Sequence, residues 1–187
     1  MSVEKYENLL RIVTMLKGRV PHVEKFNVFT VLRSESDEVR LHSRFIGSLI
    51  DPVYHGLGRA MLEAFLRQLD VPDFPLDGAQ VHIECSGVDI LVLNSRCGKA
   101  VIIENKIYAG DQYQQLRRYY DTIKQQGIQD IYVRYLTLDG HSPSKESLWG
   151  LDQELPFPLY CCASYYGHVR SWLEEAAALA VRNVNVR

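Results

Sequence analysis

An acid interrupts the apolar run Val88-Asp89-Ile90-Leu91-Val92-Leu93, and Glu104-Asn105-Lys106 closes a second run that opens Ala100-Val101-Ile102-Ile103. Two carboxylates and an ammonium group therefore stand where strand interiors ordinarily carry hydrocarbon. Buried charge is costly unless it is paired or bound to a metal. Carboxylate oxygens are hard donors, and Mg²⁺ is commonly held through one or two of them together with substrate oxygens. The chemistry open to such a set is cation binding, with Lys106 placed beside any water the cation carries.

The two runs must form a hairpin for these groups to meet. Between them lies the turn-like Asn94-Ser95-Arg96-Cys97-Gly98. Side chains alternate faces along a strand, so Glu104 and Lys106 share one face and Asn105 points to the other, while Asp89 lies with Leu91 and Leu93. A loop of Ser95 to Gly98 pairs Asn94 with Lys99, and counting back sets Asp89 opposite Glu104 with Cβ atoms about 5 Å apart. A cross-strand salt bridge on a solvated sheet face would use the same residue types. Against it, both strands are apolar on both faces outside the triad, which is the pattern of a covered central strand.

The remaining sequence supplies the elements around this hairpin. A helix is expected over 3–17, stopped by Gly18, a second from about 36 to 50, stopped by Asp51-Pro52, and a third over 57–69. Strands are expected over 81–85, 88–93 and 100–106, then a helix over 112–126 with Asp111 as its N-cap, and a fourth strand over 130–138. A strand, helix, strand crossover returns the fourth strand parallel to the third. After a polar loop over 140–150 come a short edge strand at 158–162 and a closing helix capped by Ser164. The expected class is α/β, a mixed central sheet in the order αβββαβ flanked by helices, as a single domain over 1–187 with its core at about 26–138.

Composition limits the function. The chain has 187 residues, 47% of them hydrophobic, enough for one sizeable core. Its formal net charge of −2 gives no global attraction to nucleic acid, so any phosphate contact must come from local patches. The four cysteines show no zinc-ligand spacing, and the N-terminus has no signal-peptide pattern, so a reduced, cytoplasmic protein without membrane contact is expected. Gly56-Leu57-Gly58 lacks the third glycine of a dinucleotide fingerprint.

Asp89 followed by Glu104-x-Lys106 resembles the motif of the PD-(D/E)XK nuclease superfamily. The likeness extends through Ile103-Glu104-Asn105-Lys106-Ile107, Asp111-Gln112 and Gln115-Leu116-Arg117-Arg118-Tyr119, and upstream through Asp37-Glu38-Val39-Arg40, His42-Ser43-Arg44-Phe45-Ile46, Asp51-Pro52 and His55-Gly56, a pattern of one prokaryotic branch. It departs from that pattern where the second strand opens with Val88 in place of a basic residue, and in a shorter C-terminal portion. The resemblance implies a restriction-endonuclease-like core and hydrolysis of phosphodiester bonds in nucleic acid, DNA favoured, in bacterial defence or genome maintenance. Asp89, Glu104 and the backbone carbonyl of Asn105 would bind Mg²⁺ or Mn²⁺, and Lys106 would orient or deprotonate the attacking water.

The same resemblance aims Glu38 at the metal or its waters and turns Gln115 and Tyr119 towards the site. His42, Arg44 and Tyr119 become candidates for nucleic-acid contact, and Arg117 and Arg118, which with Lys124, Tyr113 and Tyr120 give local basic and aromatic character suited to backbone contact and base stacking, join them. Each also has a structural reading. Glu38 could complement a helix dipole, His42 could be a packed histidine, Gln115 could lie on a solvated helix face, and the arginines could be surface charge. Glu84 could be the cross-strand partner of Lys99 or Arg96. Cutting both strands of a duplex needs two active sites, which implies a homodimer for that substrate. The alternatives are a nuclease fold with an idle triad that binds nucleic acid or a protein, and a metal-dependent hydrolase of small phosphoesters.

Overall fold

The computed structural model describes residues 37–181 and residue 183, so the helix expected over 3–17 and the start of the core expected from 26 lie outside the described residues. All of these belong to the larger of two units into which the chain divides, Arg33–Arg187. Strands β1 (Gln80–Cys85), β2 (Val88–Asn94) and β3 (Lys99–Lys106) form an antiparallel meander. Strands β4 (Asp130–Thr137) and β5 (Tyr160–Ser164) continue the sheet in parallel, in the order β1-β2-β3-β4-β5. Connection length decides this mixture, because tight turns can join only antiparallel neighbours and parallel neighbours need a crossover. The β1–β2 turn is Ser86-Gly87 with φ of 56° and 83°, the positive pair a two-residue hairpin turn requires.

Helices cover both sides. A π-helical turn, Glu38–Ser43, runs into α1 (Arg44–Ile50). Asp51, read as a stop, also starts the next element, accepting the Val53 N–H at 3.0 Å as N-cap of α2 (Pro52–His55). Helix α3 is Ala60–Gln68 and α4 is Gln115–Gln125. The short α5 (Lys145–Leu148) and α6 (Leu151–Glu154) lie within and after the expected polar loop. Ser164 accepts the Gly167 N–H at 3.1 Å, as expected of a cap, but the turn it opens, Tyr165–Val169, is π-helical before α7 (Arg170–Leu179) begins.

The expected α/β class with a mixed, helix-flanked sheet is what the chain adopts. One face of the sheet packs Ile90, Val92, Val101 and Ile103 against Ile46, Ile50, Phe65 and Trp172 from α1, α3 and α7. The other packs Leu91, Ala100, Ile102 and Val133 against Leu116, Tyr120 and Ile123 from α4. Each fully buried side chain of this size contributes about 1.5–3 kcal/mol. Among the described residues no helix is long and apolar enough to cross a membrane.

One boundary differs for a reason that matters at the site. The helix expected from 112 begins at Gln115, because Gln114 takes a φ of 52° and breaks the helical path. Asp111 is not its N-cap: Oδ1 accepts the Tyr135 hydroxyl at 2.8 Å and Oδ2 the Ser144 N–H at 2.6 Å.

Candidate active site

β3 is covered on both faces from Ala100 to Lys106. The alternation that sends Ile102 towards α4 sends Glu104 and Lys106 there as well, and turns Asn105 towards the π-helical turn. The β2–β3 register runs from Asn94 opposite Lys99 to Ile90 opposite Ile103, as the turn length requires. Past that last pair the Asp89 side chain takes over as acceptor, its Oδ2 receiving the Asn105 N–H at 2.7 Å.

Glu104 is 2% exposed, and its two oxygens differ sharply. Oε1 accepts the Lys106 ammonium at 3.0 Å and the Gln115 side-chain amide at 2.7 Å. Oε2 is buried with no hydrogen-bond partner. Gln115 also donates to the Tyr119 hydroxyl at 3.0 Å, and its own oxygen accepts the Gln112 N–H at 3.2 Å. Tyr119 in turn packs where Gly87 leaves room: a Cβ there would stand 3.0 Å from the Tyr119 ring.

Burial, and then the charge of Asp89, push the Glu104 carboxyl up to about 8, with Lys106 pulling it back. Burial likewise raises Asp89, while the Asn105 amide and the Lys106 charge oppose the rise. Burial works against the Lys106 ammonium, yet the charge and hydrogen bond of Glu104 outweigh it and raise Lys106. The cause in each case is two acids sharing a dry site with a single cation.

This donor set fits a divalent ion. Glu104 Oε2 is an orphaned buried oxygen, the neighbouring acid is also mostly buried, and one ammonium cannot neutralise both. All the donors are oxygens, which suits Mg²⁺ or Mn²⁺. Among the described residues no group of three or more His, Cys, Asp or Glu side chains that could hold a metal ion converges.

On the other face of β3, Asn105 is fully engaged. Its amide donates to the Glu38 carbonyl at 3.2 Å and to Ser43 Oγ at 3.1 Å, and its oxygen accepts the Tyr165 hydroxyl at 2.9 Å. The Tyr165 ring meets His42 edge-on at 5.7 Å. The Glu38 carboxylate reaches over the end of the strand, where Oε1 accepts the N–H groups of Ile107, Tyr108 and Ala109 at 2.6, 2.5 and 2.8 Å.

The structure thus gathers Asp89, Glu104, Asn105, Lys106, Gln115, Tyr119 and Glu38 around the end of β3, and it disperses the rest. His42 lies behind the sheet against Tyr165. Arg44 is exposed, with Nε 3.9 Å from Glu84 Oε1. Glu84 therefore faces Arg44 and not Lys99, one of the two partners considered for it, which is 3.8 Å from Asp130. Arg117 pairs with Asp121 at 2.9 Å and Glu154 at 2.6 Å, so its charge is compensated. Arg118 is exposed and donates to the Gln112 side chain at 3.2 Å. Sequence reasoning missed Ser43 and Tyr165, which anchor Asn105 from 62 and 60 residues away.

A mixed five-stranded sheet layered by helices, with an acid on its second strand and Glu-x-Lys closing its third, is a restriction-endonuclease-like α/β fold. The family model of the PD-(D/E)XK nuclease superfamily matches residues 26–186, and the chain belongs to that superfamily. Neither the curated proteins nor the solved structures give a match.

Proposed function

We propose that this protein is a divalent-metal-dependent nuclease that hydrolyses phosphodiester bonds, with DNA the favoured substrate and bacterial defence or genome maintenance the setting. The observation that carries the reading is the orphaned Glu104 Oε2 beside a second, part-buried carboxylate and an ammonium group. A structural ion pair would have no need of the second acid.

Asp89, Glu104 and the Asn105 carbonyl would hold Mg²⁺ or Mn²⁺. When bound, the cation supplies Lewis-acid polarisation of the phosphate and makes a water more acidic. The chain's own contribution is placement. Gln115 and Lys106 both engage Glu104 Oε1, which turns Oε2 outward from those donors. The Asp89 contact with the Asn105 N–H and the Asn105 side-chain bonds fix the strand end that carries the carbonyl donor. Lys106 Nζ can donate to an attacking water or to a phosphate oxygen, and its short link to Glu104 keeps it beside the acids.

The test is cleavage of single- and double-stranded DNA and RNA with Mg²⁺, Mn²⁺ or chelator. Cleavage is expected with either metal and not with chelator, and Asp89→Asn and Lys106→Ala are each expected to lower it by about 100-fold or more. Activity that survives both substitutions removes this mechanism. Nucleic-acid binding without cleavage by the wild type would favour the idle-module reading.

A further inference from the structure

Three large aromatic side chains reach solvent on the connection from β3 to α4 and at the end of α5: Tyr108, Tyr113 and Trp149, exposed 69%, 58% and 53%. Tyr113 and Trp149 touch edge to face, with ring centroids 5.3 Å apart. Scattered surface aromatics need no explanation, but a touching pair on elements distant in sequence does.

The backbone holds both rings outward. Gln114, next to Tyr113, has a φ of 52° and Trp149 a φ of 47°, a region non-glycine residues seldom occupy. The Gln114 N–H donates to the Glu146 carbonyl at 2.8 Å, and the Trp149 N–H to the Lys145 carbonyl at 2.9 Å. Loop and helical turn are thereby locked together under the ring pair.

The segment that carries Tyr113 leads directly into the site. Gln115 stands two residues beyond Tyr113 and its amide lies 2.7 Å from Glu104 Oε1. Two residues of backbone span at most about 7 Å, so the two residues' main chains are close neighbours. Charge does not single out a phosphate here, because Lys145 is followed by Glu146 and both Asp111 oxygens are engaged by Tyr135 and Ser144. What the surface offers is ring faces. A base presents its own face only when it is unpaired, at an end, a loop or along a single strand.

We propose that Tyr113 and Trp149 form a stacking platform for an unpaired base of the substrate strand, so that the enzyme prefers single strands, overhangs or loops to intact duplex. The proposal rests on the nuclease reading above and adds the substrate's form to it.

The chain contains two tryptophans, and Trp172 is fully buried, so quenching by a bound base reports on Trp149. The full chain is titrated with oligothymidylate and with a blunt hairpin duplex, with Ca²⁺ in place of Mg²⁺. Oligothymidylate is expected to quench the fluorescence. Because the Trp149 variants lack that reporter, affinities of wild type and all variants are read from the anisotropy of end-labelled oligothymidylate and hairpin; Tyr113→Ala and Trp149→Ala are each expected to weaken single-strand binding by about 10- to 100-fold, with duplex binding changed by less than about twofold. Trp149→Phe, which keeps a ring, is expected to restore most of the affinity.

Unchanged single-strand binding in both alanine variants overturns the platform. So does an equal loss for duplex, or a change confined to oligomeric state, which would make the patch a contact between copies. If the variants keep cleaving nucleic acid with the wild-type preference for strand form, the platform alone falls. If the wild type neither binds nor cuts any nucleic acid, the nuclease reading falls and takes the platform with it.

Discussion

Three successive amides, those of Ile107, Tyr108 and Ala109, converge on one carboxylate oxygen of Glu38. Consecutive N–H groups aimed at a single point form an anion-binding nest, and here the anion is internal. Each charged hydrogen bond of this type contributes about 1.5–3 kcal/mol, though three on one oxygen do not add fully. The loop they hold starts directly after Lys106, so Glu38 fixes the backbone behind the lysine, and the proposed site would depend on it through that backbone. Glu38→Gln keeps an oxygen acceptor, whereas Glu38→Ala removes it. The alanine variant is expected to lower kcat by about 10- to 100-fold, in line with the cost of a misplaced catalytic group, and the glutamine variant by less than about tenfold. Calorimetric Ca²⁺ binding should stay near wild type in both, and amide exchange at 107–109 should speed up in the alanine variant. A loss of Ca²⁺ affinity in Glu38→Gln as large as that in Asp89→Asn would instead make Glu38 a partner of the cation.

At the scale of the elements, Arg134 fastens β4 to its surroundings. It is fully buried, and its guanidinium donates to the carbonyls of Leu69, Asp70, Val133, Pro158 and Leu159 at 2.6 to 3.2 Å. Burial lowers its pKa, and the ring of carbonyl dipoles takes the place of a paired carboxylate. This ties the end of α3 and the segment before β5 to the middle of the sheet. Arg134→Met is expected to destabilise the fold by about 3–5 kcal/mol, since it strands buried carbonyls, and Arg134→Lys should recover less than half of that. Urea unfolding measures both, and a loss below about 1 kcal/mol for the methionine variant would mean water replaces the guanidinium without cost. The contrast with the hairpin shows what a sequence exposes. Side-chain alternation and turn length are local rules, so the register and the shared face of Asp89, Glu104 and Lys106 could be counted from the residues alone. The acceptors of Arg134 are backbone carbonyls, which carry no residue-type signature, and the amides held by Glu38 are equally silent. Asp111 was legible as a residue fit to cap a helix, but its partners, Tyr135 and Ser144, lie 24 and 33 residues on, and local pattern cannot weigh them.

For the whole molecule, the charge balance of −2 and the compensated arginine on α4 leave little long-range attraction for a polyanion. Binding should therefore depend weakly on salt, because each phosphate neutralised by the protein contributes a slope of about 0.7 on single strands and about 0.9 on duplex to the fall of log K with log salt. Among the described residues there is one such set, Asp89, Glu104 and Lys106, per chain, and on the proposed nuclease reading it would break one strand at a time. On supercoiled plasmid a lone chain is expected to accumulate open circles first, by opening strands at points where the duplex breathes. Linear product would require a second chain to cut the opposite strand nearby, so its rate should rise with the square of enzyme concentration while nicking rises in proportion. A gel time course over a range of enzyme concentrations separates the two orders. Linear product that appears without an open-circle stage, at a rate first order in enzyme, would instead mean that a preassembled pair acts on both strands together, with two-fold symmetry placing its sites on opposite strands.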